Sequence, residues 1–118
     1  MVDLKKYGFT LDEDDWIEVT EENVNLMNFP RQRIGSNRKI IKLEKEERWA
    51  LVFLLWDNTY QLATRWFWSR IGDPNSRGYP TWHIIPVSLA KSILEDLHSK
   101  DEINESDYTY CLKKLGRK

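Results

Sequence analysis

Residues 49–60 read Trp49-Ala50-Leu51-Val52-Phe53-Leu54-Leu55-Trp56-Asp57-Asn58-Thr59-Tyr60. An apolar run without alternation describes a strand covered on both faces, central in a sheet or inside a small barrel. Asp57-Asn58 suits a tight two-residue turn. From Tyr60 to Trp68 the pattern alternates. Tyr60, Leu62, Thr64, Trp66 and Trp68 fall on one face, and Gln61, Ala63, Arg65 and Phe67 on the other. Two strands joined by this turn make the hairpin from which the rest of the fold is read.

Toward the N-terminus, Lys39–Leu43 reads as a strand joined to the hairpin by a turn at 44–47. Arg31–Asn37, with Gly35, Ser36 and Asn37, reads as a loop. Thr20 is placed to cap a short helix running to Met27, with Glu21 and Glu22 at its positive end and Pro30 beyond its stop. Trp16–Val19 reads as a short strand or the approach to one. Toward the C-terminus, Ser69–Pro80 is a long loop of turn formers, the kind that often carries function. Trp82–Ile85 reads as a closing strand. Ser88 is placed to cap a helix with Leu89, Ala90, Ile93, Leu94 and Leu97 on one face. A last helix, Asp107–Leu115, carries Tyr108, Cys111, Leu112 and Leu115 on one face, with Gly116 just past its end. The expected fold is a single α+β domain over 1–118: a small, mixed, barrel-like sheet of about five strands, a short N-terminal helix and two C-terminal helices.

A chain of 118 residues, 41% hydrophobic and 13% aromatic, can bury one core without staples. The single Cys111 cannot form an internal disulfide, which fits a reducing cytosol or a protein that never needed a bridge. No apolar run is long enough to span a bilayer and the N-terminus does not resemble a signal peptide, so a soluble, cytoplasmic, bacterial protein is expected. His83, His98 and Cys111 are too scattered for a metal set, and no glycine-rich phosphate fingerprint occurs, so neither metal nor cofactor is expected. His83 with Asp73 could serve as acid and base, but a histidine satisfied at a strand end is the heavier expectation.

Charge is polarised along the chain. Residues 1–30 hold two lysines and eight acids, whereas residues 31–90 hold ten Lys/Arg, five acids and five of the six tryptophans. Arginine beside exposed aromatics suits phosphate neutralisation and base stacking. The candidate nucleic-acid site is therefore Arg31, Arg33, Arg38 and Lys39 on the early loop, with Arg65, Trp66, Trp68, Arg70, Arg77, Tyr79 and Trp82 on the hairpin and long loop. Of Trp66, Trp68, Tyr79 and Trp82, one or two are expected at the surface, and Trp49, Phe53 and Trp56 in the core. The acidic residues 12–22 are expected to cap and solvate; the sharper alternative is that they dock a partner protein or compete with nucleic acid.

The layout of a short helix, Arg33, four residues, Arg38 and then a strand resembles the Gly-x-Lys, four residues, Arg pattern of the ASCH branch of PUA-like domains, with Arg33 for the lysine and Arg31 for the glycine. In size and make-up the chain is similar to the small PrgU-type regulators of enterococcal conjugative plasmids. Those resemblances imply a small mixed barrel that binds RNA. The stretch from Tyr60 through Trp82–Ile85 to the following helix also resembles the transcriptional positive-cofactor-four family, which implies single-strand DNA binding with Arg65 on the third strand. The expected function is a non-enzymatic regulator that binds RNA or single-stranded DNA. The alternatives are a protein-interaction module of plasmid or phage origin that inhibits a host protein, and a small ASCH-type nucleotide hydrolase using Glu18, Glu21 or Glu22 as base.

Overall fold

A computed structural model describes residues 2–118. The hairpin that anchors the sequence reading is present: β2 is Trp49–Trp56 and β3 is Thr59–Trp66, paired in register from Trp49↔Trp66 to Trp56↔Thr59. Asp57 and Asn58 turn between them with φ of 51° and 64°, as a type I′ turn needs. β1 (Ile34–Glu44) pairs antiparallel with β2, and the short β6 (His83–Ile85) pairs antiparallel with β3. The sheet order is β1-β2-β3-β6. β4 (Asn75–Ser76) and β5 (Tyr79–Pro80) form a separate two-strand ribbon inside the long loop, turning at Arg77 and Gly78, both at positive φ.

The sheet is covered on both faces, which is why β2 is apolar throughout. On one side Leu51, Phe53 and Leu62 pack against α2 (Val87–Ser99) and α3 (Glu105–Lys114) through Ala90, Leu94, Leu97 and Cys111. On the other, Ala50, Val52, Leu54 and Ala63 meet the N-terminal segment through Leu4, Phe9, Ile17 and Val24. That segment contains a single 3₁₀ turn at Lys5–Tyr7 and α1 (Glu21–Asn25). Thr20 accepts the Asn23 amide as its cap. Asn23, fully buried, accepts from the Thr10 amide and donates to the carbonyls of Thr10 and Glu18, pinning helix to strap.

Several expectations need correction. The sheet is open and antiparallel throughout, neither mixed nor closed into a barrel, because β1 and β6 are its two edges and do not pair with each other. Trp16–Val19 is no strand of the sheet; only a bridge joins Leu11 to Ile17. The basic loop is shorter than expected, since β1 starts at Ile34 opposite Trp56. Gly35 permits this entry: a Cβ there would stand 2.9 Å from that of Leu55. β3 stops at Trp66, where the Phe67 amide turns to the Arg48 carbonyl. Ser88 does not cap α2, which starts after Pro86, and Leu89 points to solvent. α3 begins two residues before Asp107 because the Asn104 side chain accepts the Asp107 amide. Trp49 and Trp56 are half-buried at the core margin, whereas Phe53 is fully buried.

Candidate nucleic-acid interface

The candidate residues separate into three groups. The first is structural. Arg65 points inward and is fully buried at 0% exposure. Its Nη1 donates to the Thr81 carbonyl at 2.7 Å and the Pro74 carbonyl at 3.3 Å, its Nη2 donates to the Ile71 carbonyl, and its guanidinium lies 5.1 Å from the Phe67 ring. Nε has no partner among the described residues. Burial pushes this guanidinium down to about 10, with the charge of Asp73 working the other way. Arg65 thus ties the 69–81 loop to β3. Gly72 lies against it: a Cβ there would fall 2.1 Å from the Trp66 carbonyl oxygen.

Arg38 also faces inward. It donates to the carbonyls of Val24 and Met27 at 2.9 and 3.3 Å and to Asn28 Oδ1, closing the C-terminus of α1, and burial lowers its pKa. Arg70 donates to the Val2 carbonyl. Trp82 is buried, its Nε1 donating to the Met27 carbonyl at 3.1 Å. Arg33 and Lys39 are less buried but engaged. Arg33 pairs with Asp57 at 2.8 Å, and Lys39 pairs with Asp107 at 3.3 Å while lying over the Tyr110 ring. Arg33 and Arg38, whose spacing carries the ASCH resemblance, therefore serve a turn and a helix end.

The second group makes a groove. Tyr79 stacks on Phe29 with ring centroids 4.6 Å apart and planes 24° from parallel. Tyr7 stands edge-on to both, and its hydroxyl lies 3.0 Å from that of Tyr79. Arg31 and Arg77 line the same groove of about 630 Å³, both exposed and neither in an ion pair among the described residues. A neighbouring hollow of about 540 Å³ shares Tyr7, Arg77 and Tyr79 and adds Lys6 and Asp3. The hydrogen bond to Tyr7 raises the Tyr79 phenol above its ordinary 10.0, while the positive charges of Lys6 and Arg31 pull it down. Those two cations therefore act on the stacked ring. Lys6, Tyr7 and Phe29 were not expected from sequence. Phe29-Pro30-Arg31, an aromatic next to the basic loop, was the available signal.

Trp66 and Trp68 form the third group. They are 46% and 51% exposed and share a shallow cleft with Asp73, and none of these three lines the groove. Asp73 also meets His83 Nε2 at 3.1 Å, and no hydroxyl or thiol hydrogen-bonds to that histidine among the described residues. No group of three or more potential metal-binding side chains occurs among the described residues, and none of their helices is long and apolar enough to cross a membrane. Glu21, Arg38, Lys39 and Asp107 line one further hollow of about 360 Å³, in which Lys39 is already paired. No family model matches the chain, and no curated protein and no solved structure matches it.

Proposed function

We propose that the chain is a non-enzymatic, cytoplasmic regulator that binds single-stranded nucleic acid, RNA or DNA, in the groove between Phe29, Tyr79, Arg31 and Arg77. The observation that carries it is the pairing of a preformed aromatic stack with two exposed arginines that form no ion pair among the described residues. A base extends the Phe29–Tyr79 stack, and Arg31, Arg77 and Lys6 take the phosphates on either side. The Tyr79 and Tyr7 hydroxyls supply a donor and an acceptor for a base edge. Kinship with PUA-like or positive-cofactor-four proteins is no part of the support, because Arg38 and Arg65 face inward.

Anisotropy titrations with labelled single-stranded RNA, single-stranded DNA and duplex DNA, at two salt concentrations, test it. Single strands bind better than duplex, with a log–log salt slope near −1.4 to −2, about −0.7 for each of two or three phosphates. Arg31→Glu with Arg77→Glu removes most of that slope, and Tyr79→Ala weakens binding about tenfold. Affinity and slope unchanged in the arginine double variant overturn the proposal.

A further inference from the structure

The end of the sheet opposite the Asp57–Asn58 turn is acidic and aromatic. Glu44 pairs with Trp49 and Trp49 with Trp66, so the β1–β2 turn and the exit of β3 share that end. The N-terminal hairpin at 11–17 is tied there too, and Arg48 does the tying. Arg48 Nε donates to the Phe67 carbonyl at 2.9 Å, Nη2 to the Ile17 carbonyl at 3.0 Å, and Nη1 lies 3.5 Å from Asp12. Its guanidinium stands 5.2 Å from the Trp16 ring and 5.9 Å from the Trp68 ring, and these two indoles meet edge to face at 6.0 Å. Trp68 is thus fixed from the protein side, and Trp66 is held by its place at the end of β3, while half of Trp68 and nearly half of Trp66 face solvent.

Around them stand carboxylates. Glu13, Asp14 and Asp15 on the hairpin and Glu46 and Glu47 on the β1–β2 turn are exposed and in no ion pair among the described residues, and Asp73 borders both exposed indoles. Among the cations near this end, Arg48 is already matched to Asp12 and Lys42, over the Trp49 ring, to Glu102; His83 lies 3.1 Å from Asp73, and Lys45 is exposed on the β1–β2 turn. Such a rim repels phosphates. It suits a cation, whose charge the carboxylates balance and whose hydrophobic or planar part lies on an indole face.

We propose that this end docks a cationic segment of a partner protein, an extended stretch bearing arginine or lysine, with Trp66 and Trp68 receiving its side chains and the 13–15 and Asp73 carboxylates pairing their charge. Arg48 shows the mode from the inside: an arginine against Trp68 and Trp16, held by a carboxylate and backbone carbonyls. The two exposed indoles are then a protein contact rather than a base-stacking platform, as aromatic anchors of interfaces are. Nothing in this depends on the Tyr79 groove.

The probe is a dye-labelled peptide of alternating arginine and glycine, titrated into the full chain at low salt, with its glutamate–glycine counterpart as control. Saturable binding of the arginine peptide alone is expected. Trp66→Ala and Trp68→Ala each weaken it about fivefold, the range of a partly exposed cation–π contact. Glu13→Lys with Asp14→Lys, which disturbs no packed side chain, weakens it further, whereas Arg31→Glu with Arg77→Glu leaves it intact. Circular dichroism melts confirm that each variant is folded. Absence of saturable binding, or binding that survives both Trp68→Ala and the charge reversal, overturns the proposal. So do loss of single-strand binding in the two tryptophan variants, which would return the indoles to nucleic acid, and a concentration-dependent rise in mass abolished by Trp68→Ala, which would seat a second copy there.

Discussion

Around Tyr79 the aromatic rings pack on one another and the arginines stand free; around Trp68 the arginine is packed among the rings and the carboxylates stand free. The ingredients are alike, and so is the chain region that supplies them. What differs is which partner the fold has already provided. Arg48 has Asp12 and two carbonyls, so its charge is spent inside and the surface there takes its sign from Glu13, Asp14 and Asp15. Arg31 and Arg77 have no such partner among the described residues, so their charge faces outward. The sign of a surface follows the unpaired charges, not the local count of basic residues.

Both regions hang on the loop 69–81, which brings Asp73 to the tryptophans and Tyr79 to the groove. Arg65 holds that loop by three carbonyls. The largest expected effect is therefore from Arg65→Ala, which leaves those carbonyls unpaired and opens a cavity: a loss of about 4 kcal/mol in urea unfolding. Where the variant still folds, single-strand binding and arginine-peptide binding fall together. Loss of one with the other intact would show that the two regions are held separately.

The hairpin was legible because its signals are local: an unbroken apolar strand, two turn residues tolerant of positive φ, and an alternating return. The short helix capped by Thr20 and the two C-terminal helices were legible for the same reason. The closed barrel was not, because closure depends on whether β1 reaches β6, and no local pattern fixes that. Ser88 does not cap because Pro86 opens α2 two residues earlier. The site was harder still. Arg31, Arg38, Arg65 and Arg77 look alike in sequence, and only the fold reveals that Arg38 closes α1 and Arg65 a loop. An alternating strand placed Arg65 on the same face as Ala63 and Phe67, both buried, and that was the one local signal of its inward direction. Tyr7 joins Tyr79 across seventy-two residues, a contact no spacing rule reaches.

Arg31 and Arg38 sharpen this point by their opposite responses. Arg38→Met removes the donors at the end of α1 and costs about 1–2 kcal/mol in stability, while single-strand affinity changes less than twofold. Arg31→Gln lowers single-strand affinity and its salt slope by about one phosphate contact, and leaves the melting temperature within about one degree, as surface substitutions usually do. Thermal melts beside salt-series titrations check both. Equal loss of affinity in Arg38→Met would mean that the groove extends to the strand β1 and that a structural arginine doubles as a ligand.

The smallest effect is expected at the hydroxyl pair. The hydrogen bond that the Tyr79 hydroxyl donates to Tyr7 is the chief reason that its phenol lies above the ordinary 10.0. A raised phenol is favoured neutral in the folded state, so the benefit is complete below pH 10 and disappears as pH climbs through the raised value. Tyr7→Phe removes that bond, the largest of the causes that raise the phenol, and leaves desolvation, which still raises it, against Lys6 and Arg31, which draw it down. Tyr79 in Tyr7→Phe therefore ionises at lower pH than in the parent chain, visible as an earlier rise in tyrosinate absorbance, and the rise is lost in Tyr7→Phe with Tyr79→Phe. Single-strand binding by Tyr7→Phe should then begin to fail at correspondingly lower pH, because a tyrosinate in the stack repels phosphate, whereas arginine-peptide binding at the tryptophan end should not move with it. A common pH dependence at the two regions would mean that they are coupled through the loop they share, and the contrast between them would be one of degree.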